Sequence, residues 1–160
     1  MIIAVTGTPG KGKTTIGRLL ARELEYGFIS LNDLARKKGF YCGYDRKRRA
    51  KIVDIGLLGK EIGQMAGKNA VIESHYAHEM PCDIIIVLRA KPKELIKRGK
   101  KKGWWKGKIA ENVQAEIMEV CKSEALERGK PVMEFDTTGR SPGNVVREII
   151  RSLKLKPYSR

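Results

Sequence analysis

Residues 7–15 read GTPGKGKTT and follow directly on the apolar run Ile2–Thr6, IIAVT. Gly7, Gly12, Lys13 and Thr14 satisfy the pattern G-x-x-x-x-G-K-[ST]. Glycines in such a loop let successive backbone N–H groups turn inward and cradle phosphate oxygens. The positive end of the helix that follows adds to the attraction. In that chemistry Lys13 reaches the outer phosphates and the Thr14 hydroxyl ligates Mg2+. A glycine-rich turn with solvated lysines would match the same letters. The flanks argue against it: a buried strand precedes the loop, and Ile16, Leu19, Leu20 and Leu24 recur behind it at helical spacing. The loop from Gly7 through Thr8, Pro9, Gly10, Lys11, Gly12, Lys13 and Thr14 to Thr15 is therefore expected to hold a nucleoside triphosphate. No N-K-x-D occurs for guanine, and the only formal D-x-x-G, Asp136–Gly139, lies on the last strand. ATP is the expected nucleotide.

Working outward, Gly27–Leu31, Asn69–Ser74, Asp83–Leu88 and Val132–Asp136 read as four further strands. Between them come helices: one capped by Asn32 and stopped by Gly39, one from Asp54 to about Ala66, and one from Pro92 to about Arg98. The longest runs from about Lys108 to Arg128, with Ile109, Val113, Ile117, Val120 and Cys121 on its apolar side; the last opens at Ser141-Pro142. Residues 40–53 read as irregular, residues 99–107 as a break, and residues 155–160 as a frayed basic tail. Strands alternating with helices mean an α/β fold: three layers, a five-stranded parallel sheet, helices on both faces, one P-loop NTPase domain over residues 1–160. Ligands in such sheets bind at the carboxyl ends of the strands.

The chain has 160 residues, enough for one core that needs no disulfides. Its three cysteines form no CxxC pair, which argues against a zinc site or a disulfide framework. No run approaches the apolar length of a membrane span, and the opening reads as a strand rather than a signal peptide. A cytoplasmic protein with no membrane partner is the expectation. The charge is less ordinary: 33 Lys and Arg face 18 Asp and Glu, for a net +15. That balance favours polyanionic partners such as nucleotides or RNA. A lysine-rich thermophile surface is the alternative, but such surfaces raise Glu as well.

Much of the cationic charge sits in two insertions. Residues 30–66 carry Arg36, Lys37, Lys38 and the run Arg46-Lys47-Arg48-Arg49-Ala50-Lys51; residues 97–105 carry Lys97-Arg98-Gly99-Lys100-Lys101-Lys102 and close on Trp104-Trp105. Each could be a solvated face. Together they stand where a kinase of small phosphates places its acceptor flap and its lid, both cationic because two anions must be brought together.

Beyond the loop, NDLARKKGFYCGYD, VIESHYAHEMPCDIIIVLR, KIAENVQAEI and FDTTGRSP extend the pattern along nearly the whole chain. With these segments the sequence resembles the atypical nuclear adenylate kinases, the CINAP group, and their archaeal relatives. The resemblance implies an adenylate-kinase-like fold with residues 30–66 as the AMP-binding insertion and residues 99–107 as a short lid. It implies adenylate kinase and Mg-dependent ATPase activity. It also implies a role in maturation of the small ribosomal subunit, through a ribosomal protein of the platform and pre-rRNA. Residue by residue, it places ATP on Gly7 to Thr15, Arg98 and Arg140, and AMP on Asp33, Arg36 and His75. Mg2+ goes to Thr14 and Glu73, and catalysis to Lys13, Glu73, His75 and Arg98, with Asn112 and Gln114 in the helix after the lid. The group is usually acidic where this chain has Arg46–Arg49, so acceptors such as a cytidylate or a vitamin stay open. Lys102 stands where an arginine is common, and a lysine makes no bidentate phosphate grip, so weaker transfer is expected.

Strand alternation would put Glu73 and His75 on one side at a carboxyl end. Glu73 can accept from a Mg2+-bound water. AMP needs no strong base, because its phosphate is already anionic near neutral pH; hydrolysis does need a positioned water, for which Glu73 with His75 is the candidate pair. A helix cap for Glu73 and a satisfied core position for His75 are the plain alternatives. His75 and His78 lack a third ligand for a metal site.

Overall fold

A computed structural model describes residues 1–65 and 67–155. Five parallel strands form one sheet: β1 (Ile2–Thr6), β2 (Gly27–Ser30), β5 (Ala70–Glu73), β6 (Ile84–Arg89) and β7 (Val132–Asp136), in the order β2-β5-β1-β6-β7. The fold expected from the sequence is the one observed. β1 is central because each of its residues is apolar or small and buried. Its side chains alternate between two cores. Ile3 and Val5 join Ile16 and Leu20 of α1 (Lys13–Leu24) and Val145, Val146, Ile149 and Ile150 of α7 (Pro142–Ser152) on one face. Ile2 and Ala4 join Leu31 and Ala35 of α2 (Leu31–Lys38) and Leu58 and Ile62 of α3 (Ile55–Gly63) on the other. Burying a side chain such as Leu20 completely stabilises the fold by about 1.5–3 kcal/mol. The chain leaves β1 for the β2 and β5 side, then crosses to β6 on the other. The loop after β1 thus sits at the point where the sheet's winding reverses, the ordinary ligand crevice of such sheets.

Several local expectations are corrected. Residues 40–53 are not irregular: β3 (Tyr41–Asp45) and β4 (Ala50–Val53) pair as an antiparallel hairpin apart from the main sheet. α2 begins at Leu31, and Asn32 does not cap it; its Oδ1 instead accepts from the Tyr76 hydroxyl at 2.6 Å. Asp54 does cap α3, accepting from the Leu57 N–H at 2.9 Å, but that helix stops at Gly63, and its expected end at Ala66 lies outside the described residues. α4 (Pro92–Lys101) runs through Gly99. A Cβ there would meet Ile109 at 2.8 Å, so Gly99 allows a close helix crossing, and the break falls at Gly103, with φ +68.

The long helix expected over 108–128 is two, α5 (Lys106–Ile117) and α6 (Val120–Leu126), divided at Glu119 with φ +53. Glu119 reaches the guanidinium of Arg89 at 2.7 Å. Ile117, expected on the apolar side, is 65% exposed, whereas its neighbour Glu116 is buried. Ser141 caps α7 as expected, accepting from Asn144 N–H at 3.3 Å. Leu155, expected in a frayed tail, packs against the core; residues 156–160 lie outside the described residues. No helix among the described residues is long and apolar enough to cross a membrane.

Candidate active site

Gly7, Gly10 and Gly12 all have positive φ, at +140, +94 and +80, and the loop curls at the carboxyl end of β1. Gly7 has a second reason to lack a side chain: a Cβ would lie 2.7 Å from the Leu88 carbonyl oxygen of β6. α1 starts at Lys13 without a side-chain cap, which leaves its first N–H groups available for a ligand. Lys13 folds back so that its Nζ donates to the Thr8 carbonyl at 3.2 Å. Burial lowers its pKa to about 8, with the Glu73 carboxylate pulling the other way. Thr14 Oγ1 donates to Glu73 Oε1 at 3.1 Å, and Glu73 is itself buried at the end of β5. A hydroxyl and a carboxylate side by side next to an amide-lined loop are the hard oxygen donors that Mg2+ takes together with substrate phosphates. Among the described residues no cluster of three His, Cys, Asp or Glu side chains could hold a metal unaided.

α4 and the segment that follows it reach the same loop. Arg98 of α4 donates to the Gly10 carbonyl at 3.3 Å, to Thr137 Oγ1 at 3.1 Å and to the Thr137 carbonyl at 3.0 Å, while its Nε binds Glu94 at 2.8 Å. The Trp104 ring lies against Gly10, 3.5 Å from where a Cβ would be. The amines of Lys102 and Lys108 sit 5.3 and 4.4 Å from the centre of that ring. Arg140 follows Thr137 on the loop after β7, donating to the Asp136 carbonyl at 3.1 Å and pairing with Glu148.

Asp33, Arg36 and His75 gather less tightly. β5 ends at Glu73, so the strand alternation expected to align Glu73 with His75 stops two residues short of it. His75 lies exposed in the turn that follows, its ring edge-on to Tyr76 at 4.8 Å. Partial desolvation and the nearby Lys13 ammonium lower its pKa to about 4, so the ring is neutral at pH 7. The Tyr76 hydroxyl bonds Asn32 and so ties this turn to α2. On that helix Arg36 and Asp33 pair at 2.7 Å, both exposed, and neither touches the phosphate loop.

Sequence reasoning missed a buried group beneath the loop. Lys11 is 1% exposed and pairs with Glu116 of α5, which also accepts from Arg89 Nε at 2.8 Å and from Ala90 N–H at 3.2 Å. The one available signal was a lysine inside a glycine-rich loop, which could as well have pointed outward. Asn112 lies one turn before Glu116 on α5, and its buried amide nitrogen has no hydrogen-bond partner among the described residues.

Fold and site together define a P-loop protein built on the plan of the small kinases. Two solved structures share the fold. Shikimate kinase from Bacteroides thetaiotaomicron aligns with a TM-score of 0.63 at 19% identity, over 97% of this chain and 99% of that one. Deoxyadenosine kinase from M. mycoides with bound dATP aligns with 0.61 at 18% identity, over 96% and 99%. The chain belongs to the family described as AAA domain, whose pattern matches residues 3–119. Relatives named "Putative adenylate kinase" span nearly all of it. The protein from Thermococcus kodakarensis is 44% identical over 155 residues, 96% of this chain and 86% of that one; that from Pyrococcus furiosus is 43% identical over 150 residues, 94% and 82%.

Proposed function

We propose that this chain is an ATP:AMP phosphotransferase with Mg-dependent ATPase activity, an archaeal-type member of the CINAP group. The observation that carries the reading is convergence on one loop: three glycines at positive φ, Lys13, the Thr14–Glu73 pair, Arg98 and the ring of Trp104. ATP lies with its phosphates in Gly7–Thr15 and its nucleoside toward Arg98, Thr137 and Arg140. Thr14 and Glu73 would hold Mg2+, which supplies charge neutralisation to the phosphates. AMP enters on the other side, over the turn at His75 and along α2, where Asp33 and Arg36 stand. Its phosphate is anionic at pH 7, and the neutral His75 ring can orient it without first losing a proton. The name carried by the 38–44% identical relatives supports the same acceptor. Incubating the protein with Mg·ATP and AMP is expected to yield ADP. No ADP above a Lys13→Ala control would overturn the reading.

Hydrolysis uses the same site, with water in place of AMP near Glu73. Glu73→Gln is expected to lower ATP hydrolysis more than AMP phosphorylation; equal losses would mean that Glu73 acts only through magnesium.

A second reading, an ATP-driven role in small-subunit maturation, is favoured by the β3–β4 hairpin. Its tip carries Arg46, Lys47, Arg48 and Arg49, and among the described residues only Arg48 is in an ion pair, with Asp45 and Glu111. Tyr44 is 58% exposed beside them. A cationic edge with an exposed aromatic suits pre-rRNA or a ribosomal protein of the platform, in the cytoplasm. Pull-down from lysate at two salt concentrations tests it; recovery of no ribosomal component at either would contradict it. A kinase of another small phosphate or hydroxyl acceptor would show itself as ADP release with that acceptor and none with AMP.

A further inference from the structure

Glu116 stands on α5, the helix that follows the lid, yet its carboxylate serves the phosphate loop. One oxygen, Oε2, meets Lys11 Nζ and lies 3.5 Å from Thr8 Oγ1. The other, Oε1, accepts from Arg89 Nε and Ala90 N–H at the end of β6. Arg89 goes on to Glu119 at 2.7 Å and Glu134 at 3.0 Å, and Lys122 closes the set with Glu134 at 2.9 Å and Glu119 at 3.4 Å. Lys11, Arg89 and Lys122 thus balance Glu116, Glu119 and Glu134, and the charges of Lys11 and Glu116 are both out of water. Such a pair is costly to break from one side, because the remaining partner is left buried and uncompensated. The same helix is tied to the lid: Ile109 packs on Gly99, and Trp104, which touches Gly10, packs there too. The loop is therefore held by α5 from below and by the lid tryptophan from above.

We propose that Glu116 is the positioning residue through which the lid helix α5 sets the shape of the phosphate loop, with Lys11 as its contact on the loop. When α5 shifts with the lid, the Thr8–Lys11 half of the loop shifts with it. Binding at the loop and closure of the lid are then linked through one carboxylate. This rests on the reading of the loop as an ATP site, so the test includes a readout that needs no nucleotide.

The test uses the full chain in a Trp105→Phe background, which leaves Trp104 as the sole tryptophan. Glu116→Gln keeps an oxygen for Arg89 and Ala90 but turns an uncharged group toward Lys11. It is expected to shift Trp104 emission in the nucleotide-free protein and to raise the Kd for Mg·ATP about tenfold, within the span of couplings found inside one charged network. Adding Lys11→Met removes the stranded ammonium but cannot restore the severed link, so both changes are expected to persist in the double variant. Lys11→Met alone serves should Glu116→Gln fold poorly, with the same emission shift expected. Loss of thermal stability with unchanged Trp104 emission and unchanged Kd would reduce the pair to a structural brace and overturn the proposal. So would a double variant restored to the parent's emission and Kd, which would trace both changes to the stranded ammonium alone. A parent protein that binds no Mg·ATP, while the Glu116→Gln emission shift persists in the double variant, would instead overturn the ATP reading and leave the mechanical link standing.

Discussion

Gly7→Ala and Gly12→Ala separate steric need from backbone need within one loop. At Gly12 the backbone has φ +80 and ψ +22, and an added Cβ meets nothing within 4 Å. The cost there is the left-handed conformation alone, about 1 kcal/mol. At Gly7 the backbone has φ +140, and the Cβ would lie 2.7 Å from the Leu88 carbonyl oxygen and 3.2 Å from Lys11 Cδ. Leu88 is fully buried in β6, directly beside β1, so its backbone cannot yield cheaply. Backbone strain of about 1–3 kcal/mol and overpacking of about 1–3 kcal/mol combine to roughly 4 kcal/mol. For a chain of this size each kcal/mol moves Tm by roughly 2–4 °C. Thermal unfolding followed by circular dichroism should then show a fall of about 8–16 °C for Gly7→Ala against about 2–4 °C for Gly12→Ala. If Gly7→Ala melts no lower than Gly12→Ala, the argument from the β1–β6 contact is wrong.

Two further outcomes follow from the site. Lys13 is held at a pKa of about 8 by burial, below its unfolded value of 10.5. Between those two pH values the unfolded chain carries a proton that the free folded protein has shed, so the free protein's stability rises with pH across that window. Phosphates restore the Lys13 charge, so Mg·ATP binding at pH 8–9 should take up a proton and weaken as pH climbs. Calorimetry in two buffers of different ionisation enthalpy measures this, and identical heats in both would contradict it. Arg98→Lys loses the forked contacts to Gly10 and Thr137 and is expected to raise KM for ATP about tenfold with less effect on kcat, read from steady-state kinetics; an unchanged KM would remove Arg98 from the ATP side.

The strand, loop and helix from Ile2 to Leu24 were legible because three independent patterns agree there: a buried apolar run, phosphate-loop chemistry and a helical stripe. The β3–β4 hairpin was not legible. Its residues are exposed or half-buried on both faces, so no alternation marks it, and its turn is made of Arg and Lys rather than Gly or Asn. Glu116 was hidden for a different reason. A lone carboxylate on a helix reads as solvated, and the partner that buries it, Lys11, lies 105 residues away in sequence. The split of the long helix at Glu119 has the same origin, since Arg89, thirty residues earlier, reaches for both Glu116 and Glu119. Thr14 and Glu73 could be named singly from the sequence, but their contact across 59 residues needed the sheet that aligns β5 with β1.

The claim on which everything else stands is that the amide-lined loop and Lys13 grasp the polyphosphate of ATP. Titrating Mg·ATP into the protein by calorimetry at pH 7, beside Lys13→Ala, tests it most directly. One saturable site on the parent, abolished or strongly weakened in Lys13→Ala, is the predicted result. Absence of binding to the parent, or equal affinity for both proteins, would contradict it.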